Sequence, residues 1–332
     1  MLAKSSTVVH KASGVSVETP LLIPSFSSKG FSGAGATSEV RQILGTAAEF
    51  LTTAYLISAY DIAKGHLFEP ADLPSKPDLI VVDSGGYEIS GDYDFSEVLR
   101  SPLPDQVWEL DQLVSVLDKW PDEIPAVFVS YDHPKKRRSF DEQISDARQL
   151  FRGRTDQLSC FLLKPLTKRQ NSLKEALGAA IASPESLTSF DILGITEKEV
   201  APSPLERMIA IARLRHALDA INCHIPIHVF GSLDALSVCL YTVAGAEIFD
   251  GLTWLRYAFV NDQCVYPHSH ATQRYGLDTK DTSRRLRMIT DNYYYLMELQ
   301  GKLRHFARTG DFGILPHADF VQKAYSWLES KL

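Results

Sequence analysis

Short apolar runs rich in Val, Ile, Leu and Phe alternate along this chain with longer stretches whose apolar positions recur every three or four residues. A short continuous apolar run suits a strand covered on both faces, and the three-to-four spacing suits an amphipathic helix. Eight runs predict strands: Leu21–Ser25, Phe50–Thr53, Leu79–Asp83, Ala126–Tyr131, Leu158–Leu163, Phe190–Ile195, Ile225–Phe230 and Glu247–Asp250. Helix signals fall between them. Ser139-Phe140-Asp141-Glu142 is a capping box opening a helix towards Phe151. Ser203-Pro204-Leu205-Glu206 combines an N-cap serine, a first-position proline and a third-position glutamate ahead of a periodic run to Ile221. Ser232 is the expected cap of a helix to about Val243, with Gly245 past its end. A long helix is expected from about Thr282 to Arg308, closed by Gly310, and a last one over Ala318–Leu328.

Strand–helix alternation with eight strands predicts an α/β chain closed as a (β/α)8 TIM barrel rather than an open doubly wound sheet. Val8–His10 and Val15–Glu18 predict a small N-terminal β-hairpin within about residues 1–20, lying across one end of the barrel. The C-terminal helices form an extension over about residues 281–332. Stretches near 26–37 and 64–78 read as long loops, and no linker marks a second domain, so residues 1–332 are expected to form one.

The 332 residues are 45% hydrophobic and 23% charged, ordinary for a water-soluble globular chain with ample core material. No apolar run approaches the ~20 residues that span a bilayer, and the first residues lack a secretory pattern, so a cytoplasmic protein with no membrane partner is expected. The net charge of −7 argues against a uniformly basic nucleic-acid coat but permits a local basic groove. Lys135, Lys136, Arg137 and Arg138 form the densest basic run. Such a run is ordinarily a solvated surface; following the fourth strand, on a barrel rim, it is also placed to hold phosphates. Cys160, Cys223, Cys239 and Cys264 are scattered, which predicts neither a disulfide framework nor a four-cysteine zinc site.

The candidate chemistry lies in two aspartates, each where an apolar run meets glycine: Asp83 before Ser84-Gly85-Gly86-Tyr87-Glu88, and Asp250 before Gly251. Both are expected at the C-terminal ends of barrel strands, where barrel enzymes do their chemistry. Two convergent carboxylates suit a nucleophile and a proton-transfer partner. The plainer readings are a type I′ turn at Asp250-Gly251 and a helix cap at Asp83-Ser84, with the glycines supplying only turn geometry. Asp132, after the fourth strand, is equally readable as a loop acid held by local hydrogen bonds. Tyr87 is the candidate for stacking on a ligand, whereas Tyr293, Tyr294 and Tyr295 read as core and half-exposed helix positions.

Together these motifs resemble the tRNA-guanine transglycosylases. Asp83-Ser84-Gly85-Gly86-Tyr87-Glu88 is similar to that family's Asp-Ser-Gly-Gly-Phe-Gln signature. His228-Val229-Phe230-Gly231-Ser232, with Phe249-Asp250-Gly251 and Arg256, is similar to its nucleophile region. Gly14-Val15, Thr19-Pro20, Tyr131-Asp132, Gly194-Ile195-Thr196, Asn292-Tyr293-Tyr294-Tyr295 and Lys302-Leu303-Arg304 match in the family's order. The resemblance implies a barrel pentosyltransferase that exchanges a guanine in a polynucleotide for a 7-deazaguanine base. It assigns Asp250 as nucleophile on the ribose C1′ and Asp83 as general acid/base. Asp132 and the backbone near Gly194 and Ile195 would recognise the base. Ser84, Gly85, Gly86, Tyr87, Lys164 and Gly231 would line the pocket, and Arg256 would contact phosphate or orient the loop after the nucleophile.

The chemistry is self-consistent. A carboxylate can capture the oxocarbenium-like state of N-glycoside cleavage, and a second acid can protonate the departing base. A carboxylate also accepts from a guanine N1–H and 2-amino group, a donor pattern adenine lacks.

The chain also departs from the family pattern. The family's Cys-x-Cys-x-x-Cys zinc motif is missing, and Asp291 stands before Asn292 where its histidine would fall. Cys264, His268 and His270 do not have the spacing of a structural zinc site, so neither metal nor cofactor is expected. Glu88 replaces glutamine, and Lys164-Pro165 replaces Gln-Gly after the fifth strand, which points to a different base or 7-substituent. Without the zinc module, DNA is slightly favoured over tRNA as the polymer, and a homodimer or a partner protein is left open. The alternatives are a non-catalytic transglycosylase-like partner subunit, which would be expected to lose these acids, and an N-glycoside hydrolase using them with water.

Overall fold

The chain opens with an antiparallel hairpin, β1 (Thr7–Val9) against β2 (Ser16–Glu18). Eight parallel strands follow: β3 (Leu21–Phe26), β4 (Ala54–Ser58), β5 (Leu79–Asp83), β6 (Ala126–Val129), β7 (Leu158–Leu163), β8 (Ile192–Thr196), β9 (Ile227–Phe230) and β10 (Ile248–Gly251). Each pairs with the next, and β10 pairs back onto β3, closing a barrel with helices between its strands. The TIM barrel expected from the sequence is the fold. This is a computed structural model, and it describes residues 1–91, 95–97, 107–133, 136–166 and 173–332.

One strand lies elsewhere than the sequence suggested. The second barrel strand is Ala54–Ser58 rather than Phe50–Thr53, because Ala54-Tyr55-Leu56-Ile57-Ser58 is the run buried on both faces. Thr52 and Thr53 instead cap the approach to β5, their carbonyls accepting from Asp78 and Leu79 N–H.

Strand parity sets what fills the barrel. Side chains alternate faces along a strand, so every second residue points inward. Leu21 and Ile23, Ala54 and Leu56, Leu79 and Val81, Val127 and Val129, Leu158, Cys160 and Leu162 form the interior cluster. Continuing that parity to the C-terminal strand ends predicts inward positions for Ser25, Ser58, Asp83, Thr196, Phe230 and Asp250. The alternate residues, among them Leu22, Phe26, Tyr55, Val82, Phe161 and Phe249, pack outward beneath the helices.

At the opposite end the hairpin sends Val8 and Val17 into the same interior cluster. His10 is buried there, and its Nε2 meets Gln157 Oε1 at 3.0 Å; the same oxygen accepts from Ala126 N–H at 2.7 Å.

The predicted helix signals hold at Ser139, whose side chain and Glu142 cap each other's backbone, and at Ser203, which caps Pro204–Ala220. The helix Ala235–Val243 is capped by Asp234 rather than Ser232: the Asp234 carboxylate accepts from Ser237 N–H at 3.0 Å. The long helix Asp281–Thr309 ends at Gly310, whose φ of 74° is a left-handed cap. A second hairpin, β11 (Ala258–Val260) against β12 (Gln263–Val265), turns through Asn261 and Asp262, both at positive φ. Among the described residues no helix is long and apolar enough to cross a membrane.

Candidate active site

Ser25, Asp83, Thr196, Phe230 and Asp250 converge on a cavity at the C-terminal mouth of the barrel, with about 860 Å³ of empty space, the open mouth included. Ser84, Gly86, Tyr87, Glu88, Asp132, Lys164 and Gly231, all noted in the sequence, line it too. Two acids 167 positions apart in the chain thus share one chamber because both end inward-facing strand parities.

Asp250 is 5% exposed and held from three sides. Ser25 Oγ donates to its Oδ2 at 2.7 Å, His228 Nε2 lies 2.9 Å from its Oδ1, and Gly231 N–H reaches Oδ1 at 3.4 Å. Three donors on its two oxygens fix the orientation of the carboxyl group, as a nucleophile needs. Gly251 continues strand β10, so Asp250-Gly251 is not a hairpin turn.

Asp83 differs. Burial and the Glu88 carboxylate push its pKa up to about 7, against the opposing hydrogen bond from Gly85 N–H, which reaches its Oδ2 at 3.2 Å. A carboxyl titrating near neutrality can both give and take a proton. Gly85 sits at φ 86°, and a Cβ there would lie 2.7 Å from Tyr60 Cβ and 2.8 Å from Trp108 Nε1. A Cβ on Gly86 would lie 2.8 Å from the Asp132 carbonyl. The glycine pair therefore serves a left-handed turn and a close approach to the neighbouring loop. Ser84 is buried; its carbonyl accepts from Trp108 Nε1 at 2.8 Å.

Glu88 carries the negative field behind Asp83. Its oxygens accept from Ser27 Oγ at 2.5 Å and Ser58 Oγ at 2.8 Å. Asp61, fully buried nearby, takes Ser28 Oγ at 2.5 Å and Ser28 N–H at 2.7 Å, and burial and Glu88 hold its pKa well above the usual carboxylate range. The sequence reading did not single out Asp61. Its place after a strand, like that of Asp83, was the available signal.

Asp132 lies on the cavity wall with both oxygens engaged: Arg137 Nη1 at 3.0 Å on Oδ1 and Lys164 Nζ at 3.0 Å on Oδ2. Glu199 completes a ring, taking Arg137 at 3.3 Å and Lys164 at 2.6 Å. Desolvation alone would lower the Lys164 pKa, but the two carboxylates reverse this and raise it. Arg137 is turned inward into this ring and is not part of a solvated basic surface, which departs from the phosphate-holding expectation. Lys136 pairs with Glu109 at 3.5 Å, Arg138 with Glu142 at 3.7 Å and Asp146 at 3.5 Å, and Lys135 lies outside the described residues.

Tyr87 lines the cavity with Lys29 Nζ 4.1 Å over its ring. Its hydroxyl donates to Glu97 at 3.1 Å and accepts from Arg256 Nη2 at 3.4 Å. Arg256 also donates to Ser96 Oγ at 2.8 Å and the Lys29 carbonyl at 3.3 Å, so it holds the loop around Tyr87 and faces a second groove. Gly194 and Ile195 do not reach the cavity; Thr196, Glu197 and Lys198 stand there in their place. Ile195 points outward into the core. Gly194 makes room for Phe230, since a Cβ on it would lie 2.7 Å from that ring. Glu197, which the sequence reading passed over, is 4% exposed; it accepts from Tyr241 OH at 2.8 Å, and burial raises its pKa to about 7.

The residues do not fit the zinc site of the resembled family. Cys264 stands alone on β12, and Asp291 accepts from Arg274 Nε at 3.0 Å and Tyr275 OH at 2.8 Å, tying the helix Pro267–Tyr275 to the long helix. Among the described residues no three His, Cys, Asp or Glu side chains group as a metal-holding set, Cys264, His268 and His270 included. Neither protein-family models nor curated protein sequences give a match to this chain.

Proposed function

We propose that this chain is a base-exchange transglycosylase. It replaces a guanine in a polynucleotide, DNA in preference to tRNA, by a 7-deazaguanine base through an aspartyl-glycosyl intermediate. The observation that carries the reading is the division of labour between two acids in one chamber. Asp250 is hydrogen-bonded by three donors, and burial and Glu88 push the Asp83 pKa up to about 7.

Asp250 attacks C1′ as the C1′–N bond breaks, and the bonding pair leaves with the base. Protonated Asp83 supplies the proton the departing guanine needs. The incoming base then gives its ring N–H proton to Asp83, its nitrogen attacks C1′, and the ester C–O bond breaks to restore the Asp250 carboxylate. Charge and protons balance over the cycle, so one titrating carboxyl suffices. Asp132 keeps unused lone pairs on both oxygens, which allow it to accept from a guanine edge while Arg137 and Lys164 fix its position.

Covalent trapping tests this. The protein and an Asp250→Asn variant are incubated with tRNA or duplex DNA and a 7-deazaguanine base, then run on denaturing gels. A shifted band with one polymer, absent from the variant, supports the reading and names the polymer. An abasic product without base incorporation would make the enzyme a hydrolase, and no reaction with either polymer would sink the proposal.

A further inference from the structure

We infer that His228 is the positioning residue for the nucleophile: through Nε2 it clamps Asp250 Oδ1 and leaves Oδ2 as the attacking atom. The chemical half of this inference rests on the base-exchange reading; the clamp itself rests on geometry. His228 sits on β9 at the inward parity, beside Gly194 of β8 and Ile248 of β10. It is 0% exposed, and its Nε2 lies 2.9 Å from Asp250 Oδ1. A carboxylate only accepts, so the proton is on Nε2. Among the described residues Nδ1 has no hydrogen-bond partner, so Nε2 is the atom through which the ring acts.

The clamp is rigid. The imidazole stacks on Phe230 with centroids 3.8 Å apart and an interplanar angle of 23°. Phe230 is in turn wedged against Gly194, where no side chain fits. An apolar residue would fill this place without an orphaned nitrogen, so stability alone gives no reason for the histidine.

The two oxygens of Asp250 are thus unequal. Among the described residues, Oδ1 takes His228 and Gly231, whereas Oδ2 takes only Ser25. The less engaged Oδ2 forms the bond to C1′. Oδ1 becomes the ester carbonyl, still facing two donors that receive the returning charge when the ester C–O bond breaks. Asp83 and the Cys160 thiol on β7 lie within electrostatic reach of Asp250, and burial, Asp83 and Asp250 raise the Cys160 pKa well above its usual value.

The test pairs His228→Leu, which keeps bulk and removes the donor, with His228→Gln, which restores an N–H near the Nε2 position. Loss of a preorganised donor should slow adduct formation by about a hundredfold in the leucine variant. KM for the polynucleotide should hold while kcat falls. Glutamine should recover most of the rate. Independently of any nucleic acid, the imidazole 15N spectrum of the unmodified protein should show a proton on Nε2, its signal shifted by Asp250→Asn. Equal labelling by His228→Leu and wild type, or an Nε2 signal that Asp250→Asn leaves unmoved, would overturn the inference. If the wild type forms no adduct, the base-exchange reading fails, and the imidazole spectrum alone decides the clamp.

Discussion

The Lys164 ammonium meets the Glu199 carboxylate at 2.6 Å behind the cavity wall, at side-chain exposures of 12% and 7%. Buried pairs are costly to break from one side, because the remaining charge has no water to fall back on. Lys164→Met would leave Asp132 and Glu199 to share Arg137 alone, and the expected loss is about 3–5 kcal/mol of unfolding free energy. Adding Glu199→Gln should recover a substantial part. A denaturant-unfolding double-mutant cycle measures it, and additive losses would mean that the two residues are not coupled.

Glu88→Gln removes the negative charge that, after burial, does most to raise the Asp83 pKa. Glutamine can still hydrogen-bond the two serines that hold Glu88. On the proposed base exchange, where Asp83 is the proton donor, the alkaline limb of the first half-reaction should move from about 7 towards lower pH. Single-turnover rates across pH report it; an unmoved limb would take Asp83 out of the proton-donor role.

The same shift has a sign for stability. The folded-state pKa of Asp83 lies above its unfolded value, so the folded state binds more protons between about 4 and 7, and stability falls as pH rises through that window. Glu197 acts in the same direction. Asp83→Asn should flatten part of this slope and gain stability at pH 8 relative to pH 4. Tm across that range reads the slope, and one identical to wild type would contradict the raised pKa.

Gly194→Ala places a methyl 2.7 Å from Phe230 and 3.2 Å from Cys160 Sγ. Overpacking of this kind costs about 1–3 kcal/mol. Because Phe230 lines the cavity, the ring's displacement should also raise KM for the incoming base. Unchanged stability and unchanged KM together would show that the ring yields freely.

Much of this was legible from alternation alone. Asp83 and Asp250 end apolar runs at the inward parity, and a closed parallel barrel brings such positions to one mouth whatever their separation in sequence. Where pattern failed, it failed locally or at long range. Thr52 and Thr53 have β-forming side chains but lie in the irregular approach to the strand, which drew the second strand too early. Asp234 outcompetes Ser232 as a cap, a choice sequence offers without deciding. The pairings of Lys164 with Glu199 and of Glu88 with Ser27 and Ser58 join elements far apart in the chain, so no window of sequence holds both partners. His228 looked like one more residue of an apolar run. Only its register beside Asp250's strand marks it out.

The N-terminal hairpin carries a consequence for traffic. Val8 and Val17 join the layered side chains that fill the barrel interior beneath the chamber, so among the described residues the chamber opens at the C-terminal mouth. On the proposed exchange, the old base leaves by the mouth through which the new one enters. Turn-taking is then imposed by the shape of the vessel: on that reading, ping-pong kinetics follow from a floored chamber as much as from a covalent intermediate.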